Sequence, residues 1–306
     1  MADLENLRKN GTRTHLAFCV GIISVFLAGC EKDIQFDLVE EEPKLVVEAT
    51  IENGRAPMVV LTNSLNYFST LSPEQLMQSF VHGAEIFISN GTKTHKLKEY
   101  TIPVVGTYSL SYYSIDSSNL STAFTGELNK SYSLRIVAAG KEYTATTTIL
   151  NITKRIDSLW YKAGPPQLDS NKVIVMMRAT DPKGFGDYVR YFTKKNSERF
   201  LPGLNSVFDD LFVDGTTYEF QVGAGVDRNT TIEEDDLFFN KGDTVTLKLS
   251  NIDKPTYDFW RTIEFAYQAV GNPFSTPVKV LGNIQGNALG YFGGYASQYR
   301  TIVIKK

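Results

Sequence analysis

The residue types that do most protein chemistry are scarce in this chain. Its 306 residues include two cysteines and three histidines. Cys19 and His15 fall in or beside an apolar N-terminal stretch, which leaves Cys30, His82 and His95. A disulfide framework, a cysteine zinc site and a multi-histidine metal centre are not supported by so few ligands. A serine triad would have to recruit His82 or His95. His82 precedes a predicted strand, His95 follows the Asn90-Gly91 turn, and neither has a Gly-x-Ser-x-Gly elbow nearby. Both are therefore expected to be ordinary polar surface residues. Carboxylate-based hydrolysis needs two acids at a fixed separation. Asp258 and Glu264 share a predicted helix but lie six residues apart, on different faces. Arg261 is three residues from each, so a structural ion pair is the simpler expectation.

Hard-cation chemistry has one candidate loop, Asp181-Pro-Lys-Gly-Phe-Gly-Asp187, since calcium takes several oxygen ligands on a turning backbone. It lacks the alternating acids and terminal Glu of an EF-hand, and a Gly/Pro turn between two strands explains it as well. Asp181 and Asp187 are thus candidates only, and no metal or other cofactor is assigned. Glu233-Glu-Asp-Asp236 is expected to be a solvated acidic loop, and Asp209-Asp210 to lie near a helical turn begun by Ser206. Gly286-Asn-Ala-Leu-Gly-Tyr-Phe-Gly-Gly-Tyr295 has no Gly-Lys-Ser/Thr ending and so is not a phosphate loop. Its glycines let backbones approach closely. Tyr291, Phe292 and Tyr295 then either plug a bend or form a candidate ligand or partner surface, with packing the preferred reading.

The elements that position these residues begin with an N-terminal leader. Arg8, Lys9 and Arg13 precede the apolar run Leu16–Leu27, which has the length of a signal-peptide core. It ends in Leu27-Ala28-Gly29-Cys30, which resembles the bacterial lipobox. That resemblance implies a signal peptide over 1–29, removal before Cys30, and a thioether from the Cys30 sulfur to membrane lipid. Acyl chains at about 0.8 kcal/mol per buried methylene make a stable anchor. Glu31-Lys-Asp-Ile34 partly resembles the surface-export signal of Bacteroidota lipoproteins, and residues 30–43 are expected to be a flexible acidic tether. The segment removes three basic and two acidic residues, so the mature chain stays weakly acidic. That argues against nucleic acid as a partner, since phosphate binding needs a concentrated basic face.

Beyond Lys44 the pattern is short alternating runs bounded by Gly, Asn and Pro. Leu45–Ile51, Met58–Thr62, Ala84–Ser89, Lys93–Leu97, Thr107–Tyr112, Ser131–Val137 and Lys141–Ile149 make seven strands. Asn53-Gly54, Asn90-Gly91 and Ala139-Gly140 mark tight turns, and Asn-Gly favours type I′. An immunoglobulin-like β-sandwich over 44–150 follows. Ser72-Pro73 starts a short helix. A second β-rich domain over 151–306 is expected, with strands at Ser158–Lys162, Lys172–Thr180, Tyr188–Lys194, Thr217–Val222, Thr244–Ser250, Val278–Leu281 and Thr301–Lys305. Its one packed helix runs over 256–270, where Trp260, Ile263, Tyr267 and Val270 recur at helical spacing before Gly271. The fold class is mainly β.

Several stretches are more specific than a generic β-protein: Ile156-Asp-Ser-Leu-Trp160, Ser206-Val-Phe-Asp-Asp210, Lys241-Gly-Asp-Thr-Val245, Ile252-Asp253, Tyr257–Glu264, Gly271-Asn-Pro-Phe-Ser275, Asn283-Ile284 and Leu289–Tyr295. With the lipobox and Leu45-Val-Val-Glu48 they resemble the Bacteroidota lipoprotein family known as domain of unknown function 4249. The resemblance implies an outer-membrane lipoprotein, often encoded beside TonB-dependent transporters, and supplies no catalytic residues. The expectation is a non-enzymatic protein, lipid-anchored in the outer membrane and displayed at the cell surface rather than the periplasmic face. It would be an accessory or substrate-binding partner of such a transporter, with a nutrient or glycan as ligand. The alternatives are a surface adhesin or envelope scaffold and, less favoured, a carboxylate-based glycan hydrolase.

Overall fold

Alternation fixes the first strand: Leu45, Val47, Ala49 and Ile51 point inward and are buried, while Val46, Glu48, Thr50 and Glu52 face the other way. A computed structural model describes residues 42–65, 72–103, 109–272, 274–276 and 278–306. In chain order the elements are β1 (Leu45–Glu52), β2 (Met58–Asn63), α1 (Pro73–Ser79), β3 (Glu85–Ser89), β4 (Thr94–Pro103), β5 (Ser109–Ile115), β6 (Lys130–Ala138) and β7 (Lys141–Ile149). There follow β8 (Arg155–Ala163), β9 (Lys172–Thr180), β10 (Tyr188–Lys195), β11 (Leu201–Phe208), β12 (Thr217–Val222), β13 (Phe239–Asn240), β14 (Thr244–Ile252), α2 (Lys254–Ala269) and β15 (Leu289–Val303). The protein is mainly β, and among the described residues no helix is long and apolar enough to cross a membrane.

Strands are hydrogen-bonded in the order β11-β10-β14-β15-β1-β2-β5-β4-β3-β6-β7. β4 is the corner: its start pairs with β3 and its remainder with β5, so the sheet folds over and its two layers face each other. Inward residues of β1, β2, β3, β6 and β7 fill the space between, joined by Phe292 and Ala296 of β15. Each such aliphatic side chain contributes about 1.5–3 kcal/mol by leaving water. This is the expected sandwich, with an addition from the far end of the chain. β15 runs parallel to β1, pairing Val47 with Gly290 and Glu52 with Tyr295. A parallel pair cannot be joined by a hairpin, and here nearly the whole chain is the crossover. The regions expected as separate domains, 44–150 and 151–306, therefore share one hydrogen-bonded sheet.

β12, β9, β13 and β8 form a second sheet, whose core joins Val173, Val175 and Met177 to Val189, Tyr191, Leu247 and Leu249 of the large one. α2 lies on the other face, over Ile252, Tyr291 and Tyr295. Its N-cap is Asp253, whose Oδ1 accepts from Thr256 N at 3.1 Å. The same carboxylate's Oδ2 accepts from Thr147 Oγ1 at 2.7 Å and Thr148 N at 3.1 Å, tying β7 to the helix start. α1 begins with the capping box of Ser72 and Gln75.

Several local expectations are corrected. Val278–Leu281 is not a strand; Leu281 N instead donates to Thr262 Oγ1 on α2. β11 lies outside the expected strands, because Pro202 and Gly203 break the strand pattern; Ser206 lies in this strand and starts no helical turn. Of the three expected tight turns, only Ala139-Gly140 has both residues at positive φ, 48° and 74°. Asn90 instead bridges a longer loop, its Oδ1 accepting from Thr92 N and Lys93 N.

Candidate functional site

β9 and β12 of the small sheet meet β10, β11 and β14 of the large one beside the start of α2, and a pocket of about 500 Å³ opens there. Its walls are Met177, Val189, Val207, Phe208, Phe212, Val213, Tyr218, Phe220, Leu249 and Tyr257. The strand period explains the aromatic wall. Tyr218 and Phe220 are two apart on β12 and share a face. Phe208 meets Phe220 edge-on at 5.6 Å, and Tyr191 stacks on Phe208 at 6.0 Å behind them. Three charged groups border the pocket: Asp209, Glu219 and Arg261. Asp209 accepts from Tyr257 OH at 2.8 Å, and Glu219 is paired with Arg178. Arg261 lies 5.7 Å from the Tyr257 ring centroid. Burial pushes the phenols of Tyr218 and Tyr257 up to about 12, so both stay neutral donors. An apolar hollow with a few directed polar groups is the usual form of a small-ligand site.

Two loops lie at one end of this pocket. Asp210 follows Asp209 and turns its Oδ2 to Gly186 N at 2.8 Å and Asp187 N at 3.1 Å. Asp214 Oδ1 accepts from Gly184 N at 2.6 Å. Loop 181–187 is thus laced to loop 209–216, with Gly184 at φ 124° and Gly186 at φ 115° making the required turns. The lacing brings Asp181, Asp187 and Asp210 together, with one oxygen of each within 4.8 Å of the others. Asp181 is 2% exposed, and Lys154 Nζ stands 3.4 Å from its Oδ1. Burial raises the Asp181 pKa, Lys154 lowers it in part, and Asp187 and Asp210 raise it further. Such a donor set suits a hard cation. The loop tips carry Phe185, Leu211 and Phe212, which are 74%, 62% and 92% exposed.

Tyr291, Phe292 and Tyr295 do not form a ligand or partner surface: all three are buried. Phe292 sits in the sandwich core. Tyr291 stacks on Phe259 at 4.4 Å and reaches Tyr295 OH, which also accepts from Trp260 Nε1 at 3.1 Å and Arg190 Nη1 at 3.2 Å. The Arg190 guanidinium lies 3.4 Å from the Trp260 ring centroid and donates to Ser206 Oγ. Ser206 in turn donates through N (2.9 Å) and Oγ to Glu264, which also accepts from Arg228 at 2.8 Å. Glu264 thus pairs with Arg228, and Asp258 with Lys254, rather than either with Arg261. The true partner of Glu264 is 36 residues away, outside any helical spacing rule.

Of the histidines, His82 is exposed and paired with Glu99. His95 corrects the surface reading: it is 1% exposed, hydrogen-bonded to Thr122 Oγ1 and accepting from Asp116 N through Nε2. Glu233–Asp236 is exposed, as expected, on a 3-10 turn over Glu234–Leu237. Cys30 and Leu27-Ala28-Gly29 lie outside the described residues.

Asp181 and Asp187 were visible in the sequence as a pair; Asp210 as their partner was not. The aromatic wall had one available signal, the period-two pair Tyr218 and Phe220. A family model for a domain of unknown function (DUF4249) matches residues 31–301. The chain belongs to that family. No curated protein matches it.

Proposed function

We propose that this protein is a non-enzymatic binding module, anchored in the outer membrane by lipid on Cys30, and that it serves a TonB-dependent transporter as an accessory or substrate-binding partner. The observation that carries the binding half is the aromatic-walled pocket of about 500 Å³ between the two sheets. The anchoring half rests on Leu27-Ala28-Gly29-Cys30 behind an apolar run and a basic segment. The ligand class is a small nutrient or glycan fragment with an apolar face, since Phe208, Phe212, Tyr218 and Phe220 offer ring faces while Asp209 and Arg261 offer polar direction. Binding is favoured over hydrolysis because the acids at the pocket are already engaged, Asp209 by Tyr257 OH and Glu219 by Arg178, and those of the neighbouring cluster are enclosed. Asp181 and Asp210 are enclosed among Lys154 and backbone amides, where a glycosidic bond has no approach.

The test uses the full chain in its own membrane. Tagged protein purified from detergent-solubilised outer membranes is expected to bring a transporter with it, and Cys30→Ser to release the protein from the membrane fraction. Repeated purification without a transporter refutes the partnership. Membrane retention of the Cys30→Ser chain refutes the anchor. Phe220→Arg is expected to abolish ligand uptake while leaving transporter recovery intact, which separates pocket from partner.

A further inference from the structure

The geometry points to a calcium-class divalent cation bound among Asp181, Asp187 and Asp210, where it cross-links loop 181–187 to loop 209–216. Oxygens around one calcium at about 2.3–2.6 Å lie no more than about 5 Å apart, and one oxygen of each of the three carboxylates lies within 4.8 Å of the others. The spacing alone would be an acidic cluster. A second observation makes it a site: Asp181 is fully buried by side chain, and neither of its oxygens accepts a hydrogen bond. Such a carboxylate is costly unless something charged completes its shell.

Among the described residues Lys154 is the cation paired with it, 3.4 Å from Oδ1, and it leaves Oδ2 without a hydrogen-bond partner. Three carboxylates against one ammonium leave two negative charges, which one divalent ion neutralises. The other acids are held as ligands commonly are. Asp187 Oδ1 accepts from Thr153 Oγ1 at 2.7 Å, and Asp210 Oδ2 accepts from two backbone amides. Each keeps a second oxygen that accepts no hydrogen bond among the described residues. Thr153 is itself fixed by Asn251 Nδ2 at 2.6 Å. Bonds of this kind, already made without the metal, hold its ligands in orientation before it arrives. The site stands whether or not the neighbouring pocket binds a nutrient.

Three carboxylates without a bidentate Glu place the affinity in the range of extracellular calcium modules, about 10⁻⁴–10⁻³ M. The purified chain, stripped with EDTA and titrated with calcium chloride alone, is expected to bind one ion by calorimetry and to melt at a higher temperature. Asp187→Asn keeps the acceptor for Thr153 and removes one charged ligand, so affinity should fall about tenfold or more. Lys154→Met removes the competing ammonium; calcium is expected to restore its stability and to bind more tightly than to the parent chain. Terbium alone should luminesce through Tyr218, which lies close enough to sense the Asp181 charge, and Tyr218→Phe should dim that emission without changing affinity. Absence of heat and of a melting shift at about 10 mM calcium overturns the inference. So does equal calcium affinity in Asp187→Asn, or a Lys154→Met chain that calcium does not rescue.

Discussion

Gly290→Ala tests whether the parallel seam between β1 and β15 requires a residue without a side chain. Gly290 has φ +98° and sits opposite Val47 in the register. A Cβ there would lie 1.9 Å from Val47 O and 2.8 Å from Val47 N and C. These are backbone atoms of a fully buried neighbour, so no rotamer change relieves the contact; one strand must move. Overpacking of this kind costs about 1–3 kcal/mol. The left-handed backbone adds about 1–2 kcal/mol for an L side chain. The sum, about 2–5 kcal/mol, corresponds to a fall of about 5–15 °C in Tm for a domain of this size. Gly242→Ala is the control. Gly242 has a similar φ of +93°, but its Cβ would meet only the flexible Lys306 side chain at 3.4 Å. It should lose only the backbone share, about 1–2 kcal/mol. Thermal melts of both variants, followed by circular dichroism, measure the difference. If Gly290→Ala melts within about 2 °C of the parent, or no lower than Gly242→Ala, the reasoning from the seam is refuted.

Three further outcomes follow from single groups. Asp253→Ala removes the α2 cap and the acceptor for Thr147 and Thr148 together, so denaturant melts should show a loss of about 2–4 kcal/mol, above the roughly 1 kcal/mol of a cap alone; a loss near 1 would mean the β7 tether carries nothing. His95 is held below its ordinary 6.5 first by burial, with Asp116 opposing. Its contribution is therefore complete above pH 6.5 and is lost as pH falls through the folded-state value, because the unfolded chain takes up the proton first. His95→Gln should flatten that slope in pH-dependent urea melts, and an unchanged slope below pH 6.5 would sink the assignment. Ala139 holds φ 48° in the β6–β7 turn, so Ala139→Asn, giving Asn-Gly, should stabilise the chain by about 0.5–1 kcal/mol in the same melts, and any loss would contradict it.

What the sequence made legible, and what it hid, divide along range. Alternation and flanking turns place β9 and β12 to the residue, and the helical spacing of Trp260, Ile263 and Tyr267 with Gly271 places α2 to within two residues. Those signals are local, and local propensity suffices for an element that buries one face. The partner of an element is not local. Nothing near Leu45 announces that β1 will pair in parallel with Leu289–Tyr295, although the glycines of that segment are the trace of it. A Cβ at Gly293 would strike Tyr291 and Thr256, and one at Gly294 the backbone of Thr148 and Ile149. The glycines thus let β15 thread between β1, β7 and α2, and the tyrosines beside them are buried because that threading closes over them. The same logic assembles the acid cluster: Asp210 reaches Asp187 through backbone amides of a loop 23 residues away. The aromatic motif, for which packing is the preferred reading, is indeed buried, and the Asp181–Asp187 pair reads as a simple turn; both readings lack the long-range partners. For this fold the functional geometry lies in the long-range pairs, so substitutions at Gly290, Gly294 and Asp210 should disturb it more than any change to the local patterns that first revealed the strands.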